Sequence, residues 1–246
     1  MHIQVAKVFI GYDRRIPVAF STLAHSITAN SSIPVAIVPI NLRNIGAFFC
    51  REKDPNQSTE FSFSRFLTPF LSNYEGWSLF MDNDIICRAD LRDLWNLRDD
   101  RYAVMCVKHD HQPEGEMKFL REKQTTYQKK NWSSVMMFNN AKCRTLTPDY
   151  VHTATGLQLH QFKWLESDNE IGELPASWNY LADYTKGVDR PAAIHYTEGG
   201  PYYPDYQDTE YANEWFEEFR AANHCDSADL DKLAEMAREA AKTSDV

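Results

Sequence analysis

Two carboxylates interrupt an apolar run in WSLFMDNDIICRADL, residues 77 to 91. Leu79, Phe80, Met81, Ile85 and Ile86 suit a strand buried on both faces, where an ionised Asp is costly without a partner. In an extended segment residues two apart point to the same side, so Asp82 and Asp84 present their carboxylates together. The partner this arrangement asks for is a cation. Oxygen ligands suit Mg2+ or Mn2+, which keep open positions for substrate phosphates. At the end of a buried strand such an ion would neutralise a diphosphate leaving group. Asp229 and Asp231 have the same spacing near the C terminus, but in a polar helical pattern where solvated carboxylates need no ion. His109, Asp110 and His111 alternate after an apolar stretch, and such a loop rarely makes a metal site alone.

The elements that must position these groups are marked by periodicity. VAKVFIGYD reads as a first strand ending at Gly11, and after Pro17 the run VAFSTLAHSITAN has helical spacing at Phe20, Leu23, Ala24 and Ile27. IPVAIVPI, residues 33 to 40, completes a βαβ unit. That unit predicts a parallel sheet with ligands at the carboxyl ends of its strands. No GxGxxG follows the first strand, so the dinucleotide fingerprint is absent. Tyr12 and Asp13 after it are either a polar connection or part of a site. FSFSRFLTPFLSNY, residues 61 to 74, is expected as a helix carrying Arg65, and WSLFMDNDII as one strand. By itself, Arg65 on that helix reads as half of a surface ion pair. LRDLWNL and LQLHQFKWL read as helices, and RYAVMCVKHD, SSVMMFN and AAIHY as strands. The charge-rich stretch from Pro113 to Lys130 reads as a solvated helix face, with a substrate-binding excursion as the alternative. The tail from Glu210 reads as two amphipathic helices, with Trp215, Phe216 and Phe219 packing on the core.

At 246 residues and 43% hydrophobic composition, one large globular core is expected. A net charge of −9 argues against nonspecific binding to nucleic acid or to an anionic membrane surface. No apolar run reaches the length of a transmembrane segment, and the N terminus lacks the pattern of a signal peptide. Five cysteines without a CxxC pair read as reduced, mostly buried thiols of a cytosolic protein. The expected location is therefore cytoplasmic, with peripheral membrane attachment left open.

Arg65, the Asp pair and the helix after them lie in SRFLTPFLSNYEGWSLFMDNDIICRADLRDLW. This run resembles the central block of GT-A-fold glycosyltransferases, specifically family 8 and the glycogenin-like enzymes. The resemblance implies an α/β fold, a single GT-A-like (Rossmann-like) domain with a mixed, mostly parallel sheet flanked by helices. That domain would span residues 1 to 206, with a C-terminal helical extension over residues 207 to 246 packed on it. It also implies that Asp84 binds metal, that Asp82 binds metal and sugar nucleotide beside Asn83, and that Arg65 meets the phosphate or the donor sugar. AAIHYTEGGPYYPDY resembles the family's late His-x-x-Gly-x-x-Lys-Pro-Trp element, which makes His195 the third metal ligand and Gly199 and Gly200 a phosphate cradle. A lone His after an apolar strand is otherwise more often a satisfied core residue. Here the spacing is one residue longer, and Tyr202 or Tyr203 stands where the family has Lys, with Lys186 or Arg190 as substitutes.

Three looser similarities complete the expected site. The opening strand and loop are similar to the family's nucleotide-binding start, which assigns Gly11, Tyr12 and Asp13 to the nucleotide. NWSSVMMFN stands for a strand lining the sugar pocket, with Ser133 or Asn131 as sugar contacts beside Trp132. LHQFKWLESDNEIGELPASWNYL has His160-Gln161 where the family has Asp-Gln, so Gln161 keeps a polar group by the anomeric carbon. Asp110 is a candidate contact of acceptor or donor sugar. The implied activity is metal-dependent transfer of a sugar from a nucleoside-diphosphate sugar, UDP first, to an acceptor hydroxyl, with Mn2+ or Mg2+ as cofactor. Acceptors are a glycan, a lipid-linked glycan or a protein. Retention of configuration is implied, with Asp168 or Glu166 as candidate nucleophile and same-face attack preferred. The competing expectations are a nucleotide-sugar-binding protein without turnover, and a sugar nucleotidyltransferase, whose glycine-rich phosphate loop is missing here.

Overall fold

The computed structural model describes residues 5 to 54, 57 to 110, 117 to 118, 122 to 123 and 127 to 223. Strand β1 (Ala6–Gly11), helix α1 (Pro17–Ala29) and strand β2 (Val35–Ile40) form the expected βαβ unit, with β1 and β2 parallel. Pro17 begins α1, where its missing N–H would have had no helical partner. Then follow α2 (Leu42–Ile45), a 3-10 turn (Ser64–Leu67), α3 (Thr68–Leu71), β3 (Trp77–Met81), β4 (Ile85–Cys87), α4 (Leu91–Trp95), β5 (Val104–Cys106), β6 (Met117–Lys118) and β7 (Glu122–Lys123). The chain continues through β8 (Val135–Asn139), α5 (Pro148–Thr153), α6 (Gly156–His160), β9 (Ile171–Glu173), β10 (Tyr180–Leu181), β11 (Ala193–His195) and α7 (Ala212–Asn223).

The main sheet has the order β2-β1-β3-β8-β5-β9 and is parallel except for β8, which runs against both neighbours. Strands β1, β3, β8 and β5 are apolar on both faces because helices and loops cover both, while the edge strand β2 is only partly covered. Phe9, Phe80, Met136 and Phe138 enter one core cluster, while Val8, Ile10, Leu79, Met81 and Met137 enter the other. That alternation is the two-residue period of a strand read across β1, β3 and β8. A smaller sheet, β10-β11-β4, covers a third cluster of Ile86, Tyr180, Ile194, Tyr196 and Trp215. Helix α7 places Trp215 there, and Tyr196 donates its hydroxyl hydrogen to the carbonyl of Tyr211.

Three elements differ from expectation. WSLFMDNDII is not one strand: β3 belongs to the main sheet and β4 to the small one, with Asp82, Asn83 and Asp84 at the crossing. Residues 61 to 74 form a 3-10 turn and one short helix rather than a continuous helix. Pro69 has no N–H to return to the carbonyl of Arg65, and left-handed Asn73 and Tyr74 end the segment. The polar excursion contributes the antiparallel pair β6 and β7 where a helix was expected, and the rest of residues 111 to 126 lies outside the described residues. The second tail helix, Asp229, Asp231 and Cys225 also lie outside them. No helix among the described residues is long and apolar enough to cross a membrane.

Candidate active site

The crossing between sheets builds the site. Asp82 leaves the carboxyl end of β3 with its N–H donated to Ser134 O at 2.8 Å. The chain then enters β4, which pairs antiparallel with β11 so that Ile85 faces His195. Tyr196 N donates to Asp84 O at 2.9 Å and closes that register. Strand pairing therefore sets His195, far along the chain, beside the Asp pair. One ligand atom from each of Asp82, Asp84 and His195 lies within 4.8 Å of the others. His195 Nε2 is 3.4 Å from Asp84 Oδ1, and Arg65 Nη1 is 2.8 Å from Asp82 Oδ1.

All three clustered residues are buried. Burial pushes the Asp82 carboxyl up; Arg65 opposes that shift and Asp84 adds to it. Arg65 is held by more than its carboxylate: Nη1 also donates to Ser133 O at 2.9 Å, and the guanidinium lies 5.3 Å and 5.2 Å from the ring centres of Phe61 and Phe80. Two acidic oxygens and an imidazole nitrogen, with one Arg beside them, leave room for positive charge. The set fits a divalent cation that accepts mixed oxygen and nitrogen ligands. Asn83 is 1% exposed, and its side-chain amide has no hydrogen-bond partner among the described residues.

These groups open into a cavity of about 450 Å³. Asp82, Asp84, His195 and Arg65 line it together with Ser133, Asn131 and His160. Ser133 Oγ and His160 Nδ1 are 2.7 Å apart, so the residue standing for the family's Asp is tied to the neighbouring wall. Tyr127, Lys130, Gln57 and Leu157 line the same cavity and were not singled out in the sequence. Burial raises the Tyr127 phenol to about 12, so it stays protonated at neutral pH. Lys130 had a signal, since it ends the basic run of the polar excursion.

The sequence pattern of Glycosyl transferase family 8 matches residues 26 to 199. The chain belongs to glycosyltransferase family 8. Protein CDI of Arabidopsis thaliana is 46% identical over 227 residues, covering 88% of this chain and 87% of that protein. Among solved structures, the bifunctional glycosyltransferase WbbM in its apo form superposes with a TM-score of 0.60 at 15% identity over 87% of this chain. Apo GlyE of Streptococcus pneumoniae TIGR4 has a TM-score of 0.59 at 15% identity over 95% of this chain. This chain spans 49% of the WbbM chain and 64% of the GlyE chain. The galactosyltransferase LgtC, solved with donor and acceptor sugar analogues, has a TM-score of 0.53 at 12% identity, covering 87% of this chain and 95% of that one. These likenesses identify the GT-A fold.

Several positions singled out in this family 8 glycosyltransferase do not line the cavity. A Cβ on Gly11 would stand 2.3 Å from the Phe61 ring, so the glycine admits a cavity-lining phenyl group. Tyr12 packs edge-on against Phe20. Asp13 is fully buried and accepts from Arg15 N, Nε and Nη2 and from Glu60 N. Burial alone would push its carboxyl up, but the Arg15 bonds prevail and hold it low. Gly199 and Gly200 face tyrosine rings: a Cβ would meet Tyr206 at 2.7 Å and Tyr202 at 2.2 Å. Tyr202 in turn lies 4.7 Å from Tyr203 and 5.1 Å from Trp215, centre to centre.

On the other side, Lys129 Nζ bonds Gln161 O at 3.0 Å and Asp168 Oδ1 at 2.5 Å. Asp168 is largely exposed, and the Lys129 bond holds its carboxyl below the usual range. Glu166 donates its backbone N–H to Glu170. Asp110 lines a second cavity of about 330 Å³ with Lys108, His109, Glu173 and Tyr184; His111 lies outside the described residues. Lys186 and Arg190 are outside both cavities. Burial raises the thiols of Cys87 and Cys106 to about 12, which removes them as nucleophiles.

Proposed function

We propose that the protein transfers a sugar from a nucleoside-diphosphate sugar, with UDP the expected nucleotide, to an acceptor hydroxyl with retention of configuration. The reading rests above all on the buried Asp82, Asp84 and His195 cluster at the wall of the 450 Å³ cavity. Those three residues would hold Mn2+ or Mg2+. When bound, a divalent cation there supplies Lewis-acid stabilisation of the charge on the departing diphosphate. Arg65 opposes the rise that burial imposes on the Asp82 carboxyl and presents a guanidinium to the donor phosphate or sugar. Ser133, Asn131 and His160 supply the polar wall for the sugar, and Asn83, Gly199 and Gly200, which lie outside that wall, would meet the nucleotide. Gly11, Tyr12 and Asp13 support that side from the β1 loop. The buried free thiols Cys87, Cys106 and Cys143 suit a cytoplasmic setting.

Retention is best served by same-face attack. The carboxylates lining the cavity among the described residues are Asp54, Asp82 and Asp84, and two of these belong to the metal cluster. Asp168 is committed to Lys129, which supports a route without a carboxylate nucleophile. In that route the bond from the anomeric carbon to the phosphate oxygen breaks while the acceptor oxygen bonds the same face. The acceptor proton passes to the departing phosphate oxygen. Gln161 would act through its position beside the sugar wall, and Asp110 through the second cavity as an acceptor contact. The acceptor class is a glycan, a lipid-linked glycan or a protein. We assign residues 1 to 206 to the catalytic domain and residues 207 to 246 to a C-terminal extension, of which α7 places Trp215 in the third core cluster.

The test is Asp84→Ala, with UDP binding and donor turnover measured with and without Mn2+. Loss of the metal-dependent part of both is expected, and an unchanged variant overturns the metal assignment. Tight metal-dependent binding by the native protein with no hydrolysis or transfer across acceptors would favour a binding protein instead.

A further inference from the structure

We infer that Asn179 is the positioning residue that fixes the imidazole of His195 with its Nε2 lone pair facing the carboxylate cluster. The inference rests on Asp82, Asp84 and His195 being a metal site. Asn179 is fully buried at the end of the 3-10 turn Ala176–Asn179, directly before β10. Strand β10 pairs with β11 so that Leu181 faces His195, which brings the Asn179 amide against the imidazole ring. Asn179 Oδ1 is 2.9 Å from His195 Nδ1, and Asn179 Nδ2 donates to Asn131 O at 3.1 Å.

The proton assignment follows from what each atom is able to do. The carbonyl of Asn131 only accepts, so the amide face toward it must be the NH2 group. The opposite atom, facing His195, is then the amide oxygen, which also only accepts. His195 Nδ1 must carry the hydrogen in that contact, and the neutral ring keeps its lone pair on Nε2. Nε2 is the atom 3.4 Å from Asp84 Oδ1. Rotating the amide would turn Asn179 Oδ1 onto the Asn131 carbonyl, two acceptors facing each other, and lose that bond.

The anchor of this relay is itself constrained. Asn131 sits in the left-handed region at φ 64°, where Asn is tolerated better than most residues. Its carbonyl takes the Asn179 bond, while its Oδ1 accepts from Thr197 Oγ1 at 3.3 Å, two residues beyond His195. Asn131 also lines the cavity, and its Nδ2 has no hydrogen-bond partner among the described residues. One buried amide thus links the wall of the cavity to the orientation of a ligand on another strand. Partners of this kind orient ligating His residues, and their removal typically weakens metal binding about 10–100-fold.

The experiment measures Mn2+ affinity of the full chain by calorimetry without nucleotide or acceptor. Asn179→Ala and Asn179→Leu are expected to bind about 10–100-fold more weakly. Asn179→Asp still offers an acceptor to Nδ1 but sets its other oxygen against the Asn131 carbonyl, so it should recover part of the affinity. Native-like affinity in the Ala and Leu variants, or no rescue by Asp, overturns the inference. If the variants do not fold, long-range 1H–15N spectra of the native apo protein at pH 8 decide it, with the His195 signals assigned by His195→Gln. An Nδ1–H tautomer supports the inference and an Nε2–H tautomer overturns it. A native protein that binds no Mn2+ would instead defeat the metal reading itself.

Discussion

Arg65→Met separates the electrostatic account of the site from a purely steric one. Arg65 and Asp82 form a pair at 2.8 Å with side chains only 7% and 12% exposed. Met keeps much of the packing between Phe61 and Phe80 but removes the charge. Breaking a buried pair from one side costs about 3–5 kcal/mol, because the remaining charge is left in a poor solvent. For a chain of this size that corresponds to a fall in Tm of roughly 6–20 °C. The cost has a pH signature. Burial and Asp84 already push the Asp82 carboxyl above its ordinary value of 3.8, and losing Arg65 raises it further. A carboxyl raised in the folded state binds a proton that the unfolded chain releases, so stability falls as pH rises through that interval. The deficit of the variant should therefore be smallest in acid and grow toward neutrality. Adding Mn2+ at neutral pH should shrink it, because the cation supplies the charge that Arg65 no longer does. Thermal melts over a pH series, with and without Mn2+, check this. A deficit that is absent, or that stays constant with pH and metal, would falsify the reasoning.

The tail and the first loop give two further outcomes. Trp215 is 1% exposed and stacks on Phe219 at 5.5 Å, so Trp215→Ala should cost about 3–5 kcal/mol. Because Trp215 also backs Tyr202 over Gly200, donor KM should rise more than kcat falls; an unchanged KM in steady-state assays would disconnect the tail from the site. Asp13→Asn removes the carboxylate held by Arg15 and should lower stability at pH 7 by about 1–3 kcal/mol. The Asp13 carboxyl is held below 3.8, so its stabilisation is present above that value and is lost as pH falls through the lowered one. Urea titrations should accordingly show the gap between native and variant closing in acid, and a gap that widens there would contradict the role of Arg15.

Why some of this architecture was legible in the chain, and some not, follows from which interactions are local. β1, α1 and β8 were readable because burial on two faces or on one stripe leaves an apolar signature, while β2 was readable as an apolar run although only Ile40 in it is buried. The break at Asp82 to Asp84 has no such signature, since apolar residues continue on both sides while the chain changes sheets. What decides that change is the pairing of β4 with β11, a contact between segments far apart in sequence. The same pairing brings His195 to the Asp pair, so the ligand set was approachable only through motif order and not through periodicity. Tyr127 and Lys130 lie on irregular backbone, where the direction of a side chain has no period to betray it. Gly199 and Gly200 show the converse difficulty: a glycine announces that something comes close without saying what, and here tyrosine rings from the same stretch fill the space. The two acids in the apolar run are thus explained by topology. They sit where neither sheet needs a side chain for its core, and where Arg65 and His195, delivered by separate elements, can share their charge.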